Sequence, residues 1–284
     1  MKKPRLHISI KAKKTIVTLL MIIPIIIIMF PFYMLINNSL KSLRAMTNNS
    51  LALAIPPIFD NYITVIQSVN YFRRLLNNFI VIIPSLALIV LLGAMAGYVV
   101  ARRPSRVTKI IYVYIILGVA LPGFTALYPQ IRLIHQLGLM NTYASLIFIY
   151  TGVGMSMSTF MFNGFFGGSP KDLEDSAKID GASFYRTFFT IYFPLSMPTA
   201  ATVIMLQSLG IWSDEIRSTV IFEVKNMRLL MPSLFEFYGS MVGKGVMWHE
   251  LYAYSFTVII PMIILFFFVN RYLISGVSEG ALKG

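Results

Sequence analysis

The chain has 284 residues, 57% of them hydrophobic and only 12% charged, with a formal net charge of +13 and no cysteine. A mean hydropathy of +0.73 excludes an ordinary soluble domain, in which about a quarter of residues are charged. The missing cysteines exclude a disulfide framework and a thiolate metal site.

Charge-free runs of about 18 or more residues read as membrane-spanning helices, since ~20 residues at ~1.5 Å each cross the hydrocarbon core. Six such runs follow in chain order: Thr15 to Leu40, Leu75 to Ala101, Ile110 to Ile131, Asn141 to Gly168, Thr187 to Ser213 and Leu251 to Asn270. Lipid cannot satisfy open backbone groups, so runs of this length are helices. They also lack the polar–apolar alternation of barrel strands. The fold class expected is an all-α membrane protein with six transmembrane helices. The first run has a basic front end but is too long for a signal-peptide core and lacks a small-residue cleavage site, so it reads as a retained span.

Orientation follows from basic residues in the short loops. With six spans, fifteen Lys and Arg fall on the side of both termini and nine on the other. Both termini are therefore expected in the cytoplasm. The resulting plan has a basic cytoplasmic N-terminus (1–14), a first span (15–40), an extracellular segment (41–71) and a five-helix core (72–274). Within the core lie a cytoplasmic loop (169–194) and the longest extracellular loop (214–250), and a cytoplasmic tail follows (275–284). The excess positive charge flanks spans, so topology explains it and no nucleic-acid partner is expected.

The cytoplasmic loop is the most informative segment. Its sequence, GGSPKDLEDSAKIDGASFYRTFFTIYFPLSMP, runs from Gly167 to Pro198 and inserts an acid-rich hairpin between two spans. Ser169 suits an N-cap, Pro170 the first helical position and Asp172 a weak capping box. The helix is expected to run to about Ile179, with Gly181 in the left-handed C-cap conformation. Ser183 can cap a second short helix that ends before Pro194. Phe184, Tyr185, Phe188 and Phe189 stand beside this polar turn and require cover from a partner or the bilayer interface.

The stretch LEDSAKIDGASFYRTFFTIYFPLSMP resembles the EAA loop of ATP-binding-cassette importer permeases, with Leu173, Ala177, Asp180, Gly181, Ala182, Phe188, Pro194, Leu195 and Pro198 in the expected places. Asp175 stands where Glu is usual and Ser176 replaces the first Ala. FDNYITVI (59–66), FRRLLNN (72–78), AGYVVARRP (96–104) and the ending RYLISGVSEGALKG (271–284) resemble the carbohydrate branch of these permeases. Ser213, Asp214 and Glu215 after Trp212 depart from its pattern. The resemblance implies a type I (MetI-like) importer fold in a bacterial or archaeal cytoplasmic membrane, with the loop as coupling helix. It implies ATPase-coupling roles for Leu173, Asp175, Ala177, Asp180, Gly181 and Ala182, and an ATPase-contacting tail at Ser275, Gly276, Gly280 and Lys283. The implied partners are a second, related permease subunit, two ATPase subunits that bind ATP and Mg, and an extracellular sugar-binding protein that contacts the 214–250 loop. A helix around Leu229 to Tyr238 is the structural reading of that loop.

No enzyme constellation is visible. Gly243-Lys244-Gly245 lacks the spacing and the hydroxyl of a nucleotide-binding loop. His7, His135 and His249 lie in separate segments, so no metal and no cofactor is expected in this chain. Gly93 and Gly97, and Gly152, Gly154, Ser156 and Ser158, are small residues suited to close helix packing. Polar and aromatic groups in or near the spans include Asn163, Gln207, Ser208, Asn270, Tyr128, Tyr150 and Trp212. Of these, Asn163, Gln207 and Trp212 are the candidates for the solute path, with an interface position as the alternative for Trp212. An importer for peptide or phosphate is the second reading, against which the RYLISGVSEGALKG ending weighs. A channel or secondary transporter is disfavoured, because no internal repeat and no charge inside a span is evident.

Overall fold

A computed structural model describes residues 10–281 apart from 122, 124 and 244, with no side chain described before 19, at 271 or beyond 272. The described residues are helical and contain no strand. Two compact units share the chain, one of residues 1–69 and 237–257, the other of residues 70–236 and 258–284.

The first unit holds α1 (Ile10–Ser39), α2 (Leu43–Asn48) and α3 (Asp60–Ser68). The apolar body of α1 ends in Asn37, Asn38 and Ser39, and these polar groups organise the segment after it. Asn37 donates to the Ala52 carbonyl at 2.8 Å and accepts from the Ala54 amide at 2.9 Å. Asn61 on α3 donates to the carbonyls of Ser39 and Lys41. Lys41 is buried and donates to the Asn49 and Ser50 carbonyls at 3.1 and 2.9 Å. Desolvation pushes its ammonium below the ordinary lysine value.

The second unit begins with α4 (Tyr71–Arg102), a 32-residue helix that packs most extensively on α7 (Tyr143–Gly168). A Cβ at Gly97 would lie 2.8 Å from the Asn163 backbone nitrogen, and one at Gly154 would lie 2.5 Å from Ile89 Cδ1. The small residues therefore bring the two backbones together, as plain packing requires.

Between them lie α5 (Arg106–Ala120) and α6 (Leu127–Gln136). The third expected span, 110–131, is thus not one helix. Ser105 and Thr108 form a capping box at the start of α5, and Leu121 at its end takes the extended conformation (φ −77°, ψ 128°) that a following proline favours. Fifteen residues make only ~22 Å of helix.

The fifth run is also reshaped. The residues after the Gly181 turn form α9 (Phe184–Thr187), a π-helical turn (Phe188–Tyr192) and α10 (Phe193–Leu195), and α11 (Met197–Trp212) follows at a bend of 71°. Neither Pro194 nor Pro198 can donate a backbone bond, so the helical bonds to the Thr190 and Pro194 carbonyls, just before Ser196, cannot form. The hairpin's second arm therefore does not end before Pro194 but runs through it and breaks at Ser196.

The remaining elements are α12 (Ile216–Ile221), a 3-10 turn (Lys225–Met227), α13 (Leu230–Met241) and α14 (Trp248–Ala281). The helix expected around 229–238 is α13. It extends to Met241, so the Gly239–Met241 part of the glycine-rich run is helical. Four helices are long and apolar enough to cross a membrane, over 19–39, 71–102, 143–168 and 248–270, and the bent pair 184–195 and 197–212 makes five. Sequence hydropathy reaches six only by counting the run that α5 and α6 divide.

Candidate functional site: the 169–194 hairpin and the α5–α7 cleft

The hairpin helix α8 spans Asp172–Ile179. It starts two residues later than the capping pattern suggests: Ser169 closes α7 instead, its hydroxyl donating to the Phe165 carbonyl at 2.9 Å. Asp172, Glu174 and Asp175 fill the first turn of α8, where carboxylates favour the helix dipole. The helix ends as expected at Ile179, and Gly181 has φ +71° with open space around it. Ser183 accepts from the Arg186 amide at 3.3 Å and caps α9.

Two faces of α8 differ. Glu174 and Ala177 are buried, and Leu173 and Ala182 are half-buried. Asp175, Ser176, Ile179, Asp180 and Gly181 are exposed, Ile179 at 87%. Of the six coupling residues expected, Ala177 therefore acts by packing, whereas Asp175, Asp180 and Gly181 face outward. Lys178 pairs with both Asp175 (3.2 Å) and Glu174 (3.3 Å). Its hydrogen bond to Asp175, then that to Glu174, raises its ammonium above the ordinary value.

The inner face is tied to the end of α4. Arg103 lies 3.6 Å from Glu174 and over the Phe184 ring at 4.9 Å. Arg102 is buried, donates to the Ser169 carbonyl at 2.8 Å and more weakly to that of Pro170 at 3.4 Å, and lies 4.7 Å over the Tyr192 ring. Tyr98, one turn earlier, stacks on Phe184 and touches Phe166, Phe188 and Tyr192. Cover for Phe184 and Phe188 thus comes from the chain itself, while Tyr185 and Phe189 stay exposed. Sequence reasoning named neither Glu174 nor Arg102 and Arg103 as members of this site. The available signal was the ARR triplet at a span end, which topology alone had absorbed.

The solute-path candidates are not gathered at one place. Trp212 is buried, donates from its indole N–H to the Val258 carbonyl at 3.2 Å and faces Phe79. Its indole N–H is thus satisfied within the chain. Asn163 donates to the Tyr112 hydroxyl at 2.9 Å, and Gln207 lies beside Gly154. Tyr128 is exposed and Tyr150 buried. A cleft of about 310 Å3 opens elsewhere, between α5, α6 and α7, with Gly118, Gly152, Ser156, Gln130 and Arg217 among its walls. Arg217 is held there by Asp214 (2.7 Å), Gln130 (3.0 Å) and the Gly123 carbonyl (2.9 Å).

The outer loop is pinned to α4 at Asn77, which is fully buried. Its amide donates to the carbonyls of Asn226 and Arg228 at 2.8 and 3.0 Å, and it accepts from the Tyr143 hydroxyl at 2.7 Å. Glu236 joins Arg74 and Arg228 nearby. Asn141 accepts from the amides of Glu223 and Val224. The tail residues Ser275, Gly276 and Gly280 continue α14, while their side chains and the whole of Lys283 lie outside the described residues. Among the described residues no group of three or more His, Asp or Glu side chains could hold a metal ion.

The described residues thus form a helical core with helices long and apolar enough to cross a membrane, and a hairpin rooted on the end of α4. Residues 89–278 match the family described as binding-protein-dependent transport system inner membrane component, and the chain belongs to that family. It is 30% identical over 270 residues to the melibiose/raffinose/stachyose import permease protein MelC of Bacillus subtilis (strain 168), covering 95% of this chain and 96% of the relative. It is 27% identical over 277 residues to the probable starch degradation products transport system permease protein AmyC of Thermoanaerobacterium thermosulfurigenes, covering 97% and 99%. A subunit in the crystal structure of a bacterial ABC transporter involved in the import of the acidic polysaccharide alginate superposes with a TM-score of 0.81 at 17% identity, over 95% of this chain and 99% of that one. The protein is an ABC-importer permease, an inner-membrane component of a binding-protein-dependent system.

Proposed function

We propose that this permease forms half of the path for a sugar or oligosaccharide, in a pair with a second, related permease subunit. Two ATPase subunits dock under the hairpins, hydrolyse ATP with Mg and supply the energy; the chain itself performs no catalysis. Both termini and the 169–194 hairpin lie in the cytoplasm, and the 214–250 loop meets an extracellular binding protein. The observation that carries the docking reading is the division of α8: Glu174 and Ala177 are locked inward, which leaves Asp175, Ile179 and Asp180 as a rigid outward ridge. The tail at 275–284 is a second ATPase contact in this reading.

Sugar as the solute is supported by the melibiose, raffinose, stachyose and starch products for which these relatives are named. The α5–α7 cleft suits a polar solute better than the set Asn163, Gln207 and Trp212, because it is open and ends in the Gln130–Arg217–Asp214 cluster. The decisive experiment purifies the transporter with Ile179→Glu beside the parent and screens the ligand of the cognate binding protein. Parent protein that retains the ATPase, variant protein that loses it, and a carbohydrate ligand are the expected results. An undiminished ATPase complex with the variant sinks the docking reading, and a binding protein that holds only peptides sinks the sugar reading.

A further inference from the structure

We infer that Arg102 is a positioning residue that makes α4 move as one body with the hairpin. The inference rests on the docking of an ATPase at α8. The hairpin is joined covalently to α7 and, through its second arm, to α11, but α4 lies 67 residues away from Ser169 in sequence. A load on the outer ridge of α8 would bend the chain first at its unsupported joint, which is Ser169–Pro170. Ser169 is extended (φ −77°, ψ 145°) and closes α7, and α8 starts only at Asp172. The carbonyls of this joint therefore need partners from outside both helices.

Arg102 supplies them. Its Nη2 reaches the Ser169 carbonyl at 2.8 Å and, at the edge of hydrogen-bonding range, that of Pro170 at 3.4 Å, and the Tyr192 hydroxyl donates to the same Pro170 carbonyl at 3.2 Å. The guanidinium carbon also lies 4.7 Å over the Tyr192 ring, a cation–π contact that holds the second arm. One planar group thus binds the root of the first arm and the face of the second. Only an arginine fork can do both, since a lysine ammonium offers a point charge on a flexible stem. Tyr98, four residues earlier on the same face of α4, adds ring contacts with Phe184 at 4.7 Å and Phe188 at 5.1 Å. A displacement of the hairpin is then carried into α4 and, because Gly97 leaves no space between α4 and α7, into both helices together. Rigid-body transfer of this type is how packed helices pass on small shifts.

The test uses the full transporter and needs no solute. The chain has no cysteine, so spin labels on Leu92→Cys, on an exposed part of α4, and Asp172→Cys, at the exposed start of α8 and outside the proposed docking ridge, report the distance between the two elements. In the protein with Arg102, the distance is expected to be the same without nucleotide and when trapped with ATP and vanadate. In Arg102→Ala a second distance population is expected on trapping, as the hairpin moves and α4 lags. Should Arg102→Ala fail to accumulate, Arg102→Lys is expected to show the same second population. A trapped variant with the parent's single distance overturns the inference, as does a parent whose distance changes on trapping. Loss of the ATPase from the labelled parent, when the unlabelled protein also fails to retain it, instead overturns the docking reading on which the inference rests.

Discussion

Ser158 occupies the space that a side chain on Gly93 would need: its Oγ lies 2.1 Å from the ideal Cβ position on Gly93. The same hydroxyl donates to the Ile89 carbonyl at 2.9 Å, so it cannot swing away without leaving a buried polar group unpaired. Overpacking a tight core costs about 1–3 kcal/mol. Gly93→Ala is therefore expected to lower the thermal midpoint of the protein in detergent. Adding Ser158→Gly removes the clashing Oγ and Cβ and should recover part of the loss. If Gly93→Ala alone matches the parent, the close contact described here is wrong.

Gly181 differs from Gly93 in kind. No atom lies within 4 Å of a Cβ built there, but its φ is +71°. Left-handed backbone costs an L-residue roughly 1–2 kcal/mol, and asparagine tolerates it best. Gly181→Val is expected to weaken ATPase retention while Gly181→Asn keeps most of it, measured by co-purification. Equal retention by both variants would show that the turn conformation is not needed.

Asn77 holds the outer loop through three hydrogen bonds. Asn77→Leu keeps the volume and leaves two carbonyls and the Tyr143 hydroxyl without their partner, at about 1–3 kcal/mol for each buried group left unsatisfied. Limited proteolysis should then cut faster after Lys225 and Arg228, while Tyr143→Phe should show a smaller effect. An unchanged digestion pattern for Asn77→Leu argues against the pin.

Single cysteines at Asp172 and Ser240, both exposed, test the orientation. A membrane-impermeant maleimide added to intact cells is expected to label position 240 and to reach position 172 only after the membrane is opened. Labelling of position 172 from outside reverses the topology proposed for the hairpin.

Much of this was legible because hydropathy and capping act locally. The charge-free runs located α1, α4, α7 and the start of α14 to within about five residues, though α14 continues to Ala281, past the end of its run at Asn270, and the Ile179 end, Gly181 turn and Ser183 cap of the hairpin follow from adjacent residues. What escaped depends on distant partners. Ser169 has the chemistry of an N-cap, yet α7 claims it, because its hydroxyl finds Phe165 one turn back. Trp212 looked like a sugar platform, and nothing near it in sequence reveals the Val258 carbonyl 46 residues on. Arg102 and Glu174 were read as loop charges since burial of a charge shows only when the hairpin is folded against α4. The break of the 110–131 run was signalled by Pro122 and Gly123, whose weight composition alone understates.

The outer arginines have a consequence for how the chain enters its membrane. Of the nine basic residues on the side assigned to the exterior, Arg74 and Arg228 share Glu236, Arg217 pairs with Asp214, and Lys41 is wrapped in carbonyl oxygens. That side also carries six acidic residues, so only +3 of the chain's +13 has to be moved outward. A voltage that is negative inside opposes each exported positive charge by about 2.3 kcal/mol per 100 mV. In the proposed topology, the acids that pair with Arg74, Arg217 and Arg228 in the finished protein would also travel with them as counter-charges and lighten the electrical work of biogenesis.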